Sequence, residues 1–205
     1  MIFPLNDSRA TERAAAGGKG ATLAALRQAG YPVPDGFVIS PDAFAADGLA
    51  PAAWPVVQAH LLRLRAAGAN GQTAFAVRSS AVGEDAARTS FAGSFETVLD
   101  VCDDAAVRQA IDAVHRSRLA ARVQAYRDAH GVTADPRMAV VVQRYVPAEQ
   151  AGVLFTADPV SGSHAHMVGN VVHGSGEKLV AGEATPDAFT LALPRGWRRC
   201  RRIRR

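Results

Sequence analysis

Lys19 stands in the run Gly17-Gly18-Lys19-Gly20, which opens a segment from Ala21 to Ala29 with Leu23, Leu26 and Ala29 at helical spacing. Backbone N–H groups at such a helix start favour a phosphate, and a lysine adds a point charge. The pattern is not a P-loop, because Gly20 follows the lysine and Arg13 occupies the place of that motif's first glycine. A glycine-rich helix start with an exposed lysine is the plain alternative. Arg78 ends a β-rich stretch from Thr73 and faces a Ser79-Ser80 turn, where a guanidinium can grip phosphate oxygens in a bidentate way. A surface arginine or a structural ion pair is the rival there. The small, glycine-containing stretch 79–94 reads as a long loop, and Gly93 lets backbone approach a polyphosphate closely. A strand, a loop and a second strand folded over phosphates would hold a nucleotide. Gln143 ends the apolar run Met138 to Val142, and the following Arg144-Tyr145-Val146 can offer backbone groups to a purine edge.

Other polar groups carry less. Ser161, Ser163 and His164 lie in a turn, where a Ser/His pair is usually solvated, and His173 beside Gly174-Ser175-Gly176 is a weak signal. Glu183 and Asp187 are spaced to share a cation, a spacing common by chance.

The elements that must position these groups follow from periodicity. Phe37-Val38-Ile39, Thr73–Arg78, Phe95–Val101, Met138–Gln143, Gly152–Thr156, 166–172 and 188–193 read as strands. Helices are expected over Ala21–Ala29, from Pro41 to Ala46, over Val56–Ala67 and over Asp103–His130. In the last of these Val107, Ile111 and Val114 form a stripe and Asp103 or Asp104 caps.

Composition sets the outer bounds. The chain has 205 residues, 48% hydrophobic and 20% charged, which excludes a wholly disordered or fibrous protein. No apolar run approaches a membrane span, and Met1–Leu5 is followed by polar residues rather than a signal-peptide core. Cys102 and Cys200 lack metal or redox spacing and suit a reducing cytoplasm. Net charge is +4, but seven of the 23 basic residues are arginines within 195–205, so the body is mildly acidic. A polyanion partner would have to use that tail.

Four collinear stretches carry a family resemblance: GGKGATLAALRQAGYPVPDGFVIS (17–40), AVRSSAVGEDAARTSFAGSFETVLDV (76–101), MAVVVQRYVPAEQAGVLFTADPVSG (138–162) and GSGEKLVAGEATPD (174–187). Together they resemble the N-terminal nucleotide-binding domain of the phosphoenolpyruvate synthase and pyruvate phosphate dikinase family, which rifampicin phosphotransferases share. The resemblance implies an α+β, ATP-grasp-like fold of two subdomains with ATP between them, and Mg²⁺ accompanying the ATP. It gives phosphate contacts to Lys19 and Arg78 and a phosphate-covering loop to Gly93 and Thr97. Adenine contacts fall to Gln143 and the backbone of Arg144, Tyr145 and Val146. In such proteins the β-phosphoryl of ATP passes to a histidine on a separate mobile domain, and then to pyruvate or a drug hydroxyl.

Residues 1–193 are thus expected to be a partial domain of this kind with its second subdomain incomplete, and 194–205 a basic tail outside the family pattern. A separate chain carrying the phosphohistidine and acceptor domains is the expected partner, with no membrane and no nucleic acid. A non-enzymatic protein that binds polyanions through the arginine tail is the alternative reading.

Overall fold

The computed structural model describes residues 1–45, 48–68, 73–82, 96–119 and 137–192. The chain divides into two compact units, Met1–Tyr145 and Val146–Arg205.

The first unit is built on a five-stranded antiparallel sheet. Its strands are β1 (Ile2–Pro4), β2 (Gly36–Ile39), β5 (Phe75–Ala81), β6 (Thr97–Val101) and β7 (Met138–Arg144), in the order β1-β2-β7-β5-β6. A two-stranded ladder of β3 (Phe44–Ala45) and β4 (Gly48–Leu49) stands apart from it. The unbroken apolar run of β7 suits its central place, since both of its faces are covered. Val140 and Val142 join Phe37, Ile39, Phe75 and Val77 in a core closed by helices α2 (Trp54–Ala66) and α3 (Asp104–Arg116). Ala139 and Val141 point the other way and pack with Phe3, Leu5, Val38 and the alanines of α1 (Arg13–Gln28). Alternation along one strand therefore feeds two cores.

Helix α3 follows the expected stripe, with Val107, Ile111 and Val114 fully buried. Asp103 is its N-cap and accepts from the Ala106 N–H at 2.8 Å. Asp103→Ala is expected to lower the unfolding free energy by about 1 kcal/mol, with the denaturant midpoint as readout.

Three sequence expectations change. The stretch from Pro41 is not a helix: one 3-10 turn, Pro41–Ala43, gives way to extended Phe44, whose ring stacks on His115 at 3.9 Å. Long-range ring packing outweighs the weak local helix signal there. Ser79 and Ser80 form no turn. The strand runs through Ala81, and the two serines pair with Val140 and Ala139 while buried. Small polar residues suit turns, but here β7 supplies a ladder and α1 supplies hydroxyl partners. Helix α3 ends at Arg116, a 3-10 turn covers Ser117–Leu119, and the rest of the expected 103–130 helix lies outside the described residues.

The second unit contains a three-stranded antiparallel sheet of β8 (Gln150–Phe155), β9 (His166–His173) and β10 (Asp187–Ala192), ordered β10-β9-β8. A short helix α4 (Glu177–Val180) precedes β10. The mix of helices with antiparallel sheets makes the chain α+β, as expected. Among the described residues no helix is long and apolar enough to cross a membrane.

Candidate functional site

The glycine cluster does not simply open a helix. Residues from Arg13 are already helical, and Gly17 interrupts them with φ 70° and ψ 177°. That conformation is essentially reserved for glycine. The helix resumes at Gly18, so Lys19 lies in the first turn of an uninterrupted run to Gln28.

This break seats α1 against the middle of the sheet. The Ser80 hydroxyl donates to the Ala16 carbonyl at 2.7 Å and accepts from the Gly20 N–H at 2.9 Å. A Cβ on Gly20 would lie 3.3 Å from a Val141 methyl, so helix and strand approach more closely there than most Cβ contacts do. Lys19 reaches across and donates from Nζ to the Ser79 carbonyl at 3.1 Å. Among the described residues that is the ammonium's one hydrogen bond, leaving two of its three N–H donors for a ligand.

Arg78 sits two residues before Ser80 on β5, directly opposite Val141 of β7 and Thr97 of β6. Residues opposite each other in an antiparallel ladder share a face. Val141 packs toward α1, so Arg78 and Thr97 also lie on the α1 face. Two residues along a strand span about 7 Å, which sets Arg78 close to the Lys19 turn. The Arg78 Nε is buried without a hydrogen-bond partner, and it is the one such side-chain atom among the described residues. Its guanidinium makes no hydrogen bond or ion pair there either. Leaving a buried cationic donor unsatisfied costs free energy, and sites built for an anion carry that cost until the ligand arrives.

Gln143 shares the α1 face by alternation with Ala139 and Val141, and its Nε2 donates to the Pro34 carbonyl at 2.9 Å. Arg144 falls on the opposite face. The N–H of Arg144 donates to the Asp35 carbonyl and that of Tyr145 to the Ala74 carbonyl, each at 2.8 Å. Those two donors are committed within the chain, so any purine contact there must use carbonyls or Val146. Val146 is exposed and begins the second unit.

Lys19, Arg78, Thr97 and Gln143 therefore come to one face of one sheet. Gly93 and the covering loop fall within 83–95, outside the described residues, as does the arginine tail. Ser161, Ser163 and His164 belong to a turn of the second unit held by Asp158. Among the described residues no group of three or more His, Cys, Asp or Glu could hold a metal ion. Sequence reasoning missed Ser80. Its one signal was a second serine after Arg78, two positions along on the same strand face.

The family profile of the pyruvate phosphate dikinase AMP/ATP-binding domain matches residues 56–205. Over 119 residues, 58% of this chain and 14% of the relative, the chain is 44% identical to a rifampicin phosphotransferase of Streptomyces sviceus. It is 32% identical to the prodigiosin synthesizing transferase PigC of Serratia marcescens, over all of this chain and 25% of that protein. A phosphoenolpyruvate synthase of Aeropyrum pernix is 40% identical over 57% of this chain and 14% of its own length. The chain thus spans a quarter or less of these three relatives. The motifs, the antiparallel sheet with its paired cations, and the match over residues 56–205 agree: this chain belongs to the pyruvate phosphate dikinase AMP/ATP-binding domain family.

Proposed function

We propose that the chain binds ATP as the nucleotide module of a phosphotransferase of the phosphoenolpyruvate synthase and pyruvate phosphate dikinase kind. The observation that carries this reading is the buried Nε of Arg78, without a hydrogen-bond partner among the described residues, on the same sheet face as a lysine with donors to spare there. Two fixed cations beside a helix start form a cradle for a polyphosphate. Lys19 acts as a point charge on the phosphates and Arg78 as a fork. Thr97, opposite Arg78, adds a hydroxyl, and Gly93 belongs to the loop that covers the chain of phosphates. Gln143 and the backbone of Arg144, Tyr145 and Val146 face the adenine, with carbonyls as the acceptors at the first two.

ATP arrives in this reading as its Mg²⁺ complex, with the cation carried on phosphate oxygens. The fold is ATP-grasp-like, a reading supported by the motif order and by the sheet of each unit. The cradle positions and neutralises the phosphates, and transfer to a histidine needs a further domain, wherever it is encoded. The cytoplasm is the proposed location, on the strength of two cysteines without disulfide or metal spacing.

Calorimetric titration with ATP, with and without Mg²⁺, tests this. Each of Lys19→Ala and Arg78→Ala removes one charge-assisted contact and is expected to weaken binding by about 10-fold or more. A folded parent that gives no heat and no thermal shift with ATP would sink the proposal.

A further inference from the structure

We propose that Ser80 is a positioning residue for the nucleotide, acting through Lys19. The inference rests on the ATP reading above. In an unbroken helix the Gly20 N–H would donate to the Ala16 carbonyl, four residues earlier. Here the Ser80 hydroxyl stands between those two groups, accepting from one and donating to the other. A side chain inserted into the helix ladder holds the helix open at that point. The opening coincides with Gly17, whose backbone lies against Ser80: a Cβ built on Gly17 would fall 2.1 Å from the Ser80 carbonyl oxygen.

The consequence reaches Lys19. It sits between the inserted bond and the break, and its Nζ is tied to the carbonyl of Ser79, the neighbour of Ser80. Two adjacent residues of β5 thus fix both ends of the lysine, its backbone through the Gly20 N–H and its ammonium through the Ser79 carbonyl. A hydroxyl suits this place because it is donor and acceptor at once. Alanine offers neither. Closure of the Ala16 to Gly20 bond would then rotate the first turn and carry the ammonium away from the Arg78 face. Ser80 need not touch the nucleotide for this to hold.

The test is a double-mutant cycle read by ATP titration on the whole chain. Ser80→Ala is expected to weaken ATP binding about 5- to 10-fold, a loss no larger than that from removing the lysine contact. Combined with Lys19→Ala, it should weaken binding no further than Lys19→Ala does alone, because the residue it positions is gone. Val57→Ala, which opens a cavity in the opposite core, supplies a control with a comparable melting loss and should leave ATP affinity unchanged. Should Ser80→Ala fail to fold, Ser80→Cys keeps the volume with a weak donor and acceptor, and should bind ATP less tightly than the parent. Additive losses in the cycle, or parent-like affinity in a folded Ser80 variant while Lys19→Ala is impaired, would overturn the role of Ser80 alone. Indifference of ATP binding to Lys19→Ala would overturn the nucleotide reading and this proposal with it.

Discussion

Gly17→Ala is expected to destabilise the first unit by about 3–5 kcal/mol, from backbone strain in a glycine-only region and overpacking together. Both terms have a visible source. The φ of 70° with ψ of 177° is open to glycine and closed to residues with a Cβ. The new methyl would also meet the Ser80 carbonyl oxygen at 2.1 Å and its hydroxyl at 2.4 Å. A carbonyl in a paired strand cannot rotate away as a flexible side chain would. Relief requires α1 to back off the sheet, which breaks the Ser80 bonds to Ala16 and Gly20 and strands buried polar groups.

Gly30→Ala separates strain from collision. Gly30 also has positive φ, 85°, but a Cβ there meets nothing within 4 Å. Its substitution should cost only about 1 kcal/mol. Urea midpoints of the two variants, compared at unchanged m-value, read the difference. A Gly17→Ala protein within about 1 kcal/mol of the parent would mean that the helix break is not required by the packing.

The second large effect is acid destabilisation through His115. This side chain is 5% exposed, stacks on Phe44 and lies beside Arg118. Burial, then the Arg118 charge, push its pKa down to about 4, with Asp112 opposing and Arg116 adding slightly. A folded-state pKa below the unfolded value means the native state binds fewer protons in between. Stability from keeping His115 neutral is therefore full above about pH 6.5 and is lost progressively as pH falls toward 4. The loss across that window should be about 2–3 kcal/mol.

His60, stacked on Phe37, is lowered by burial and by Arg63, and drifts in the same direction. Asp7 differs: its bonds from Arg9 hold it at about 2, so the contribution of this exposed, solvent-screened pair is full above about pH 4 and is lost as pH falls from there toward 2. His115→Phe keeps a ring on Phe44 and removes the titration. Urea unfolding of parent and variant at several pH values between 7.5 and 4.5 should give diverging slopes, the variant's being flatter. Parallel slopes would show that His115 takes up its proton without opening its site.

Much of the element map was legible because helices and strands write their periods locally. The stripe of Val107, Ile111 and Val114, its Asp103 cap and the apolar run of β7 are each readable within a dozen residues. Residue type marked Lys19 and Arg78 as cations that could take a phosphate, with an exposed lysine and a surface arginine or ion pair as rivals, and it was the family resemblance that gave both to phosphate.

Where those groups meet was not written locally. The bonds from Ser80 to Ala16 and Gly20, and from Lys19 to Ser79, join segments at least 60 residues apart. Ser79-Ser80 looked like a turn because small polar residues favour turns, and only the β7 ladder and the α1 backbone make them strand. The same holds for Phe44, pulled out of a helix by a ring on α3. By itself the sequence determined the long, strongly periodic elements, the family and the cationic groups, because side-chain chemistry and periodicity are properties of neighbouring residues. The tertiary structure alone decided that α1 breaks at Gly17, that Arg78 finds no partner among the described residues, and that both cations share a face, because these depend on which distant segment supplies or withholds a hydrogen-bond partner.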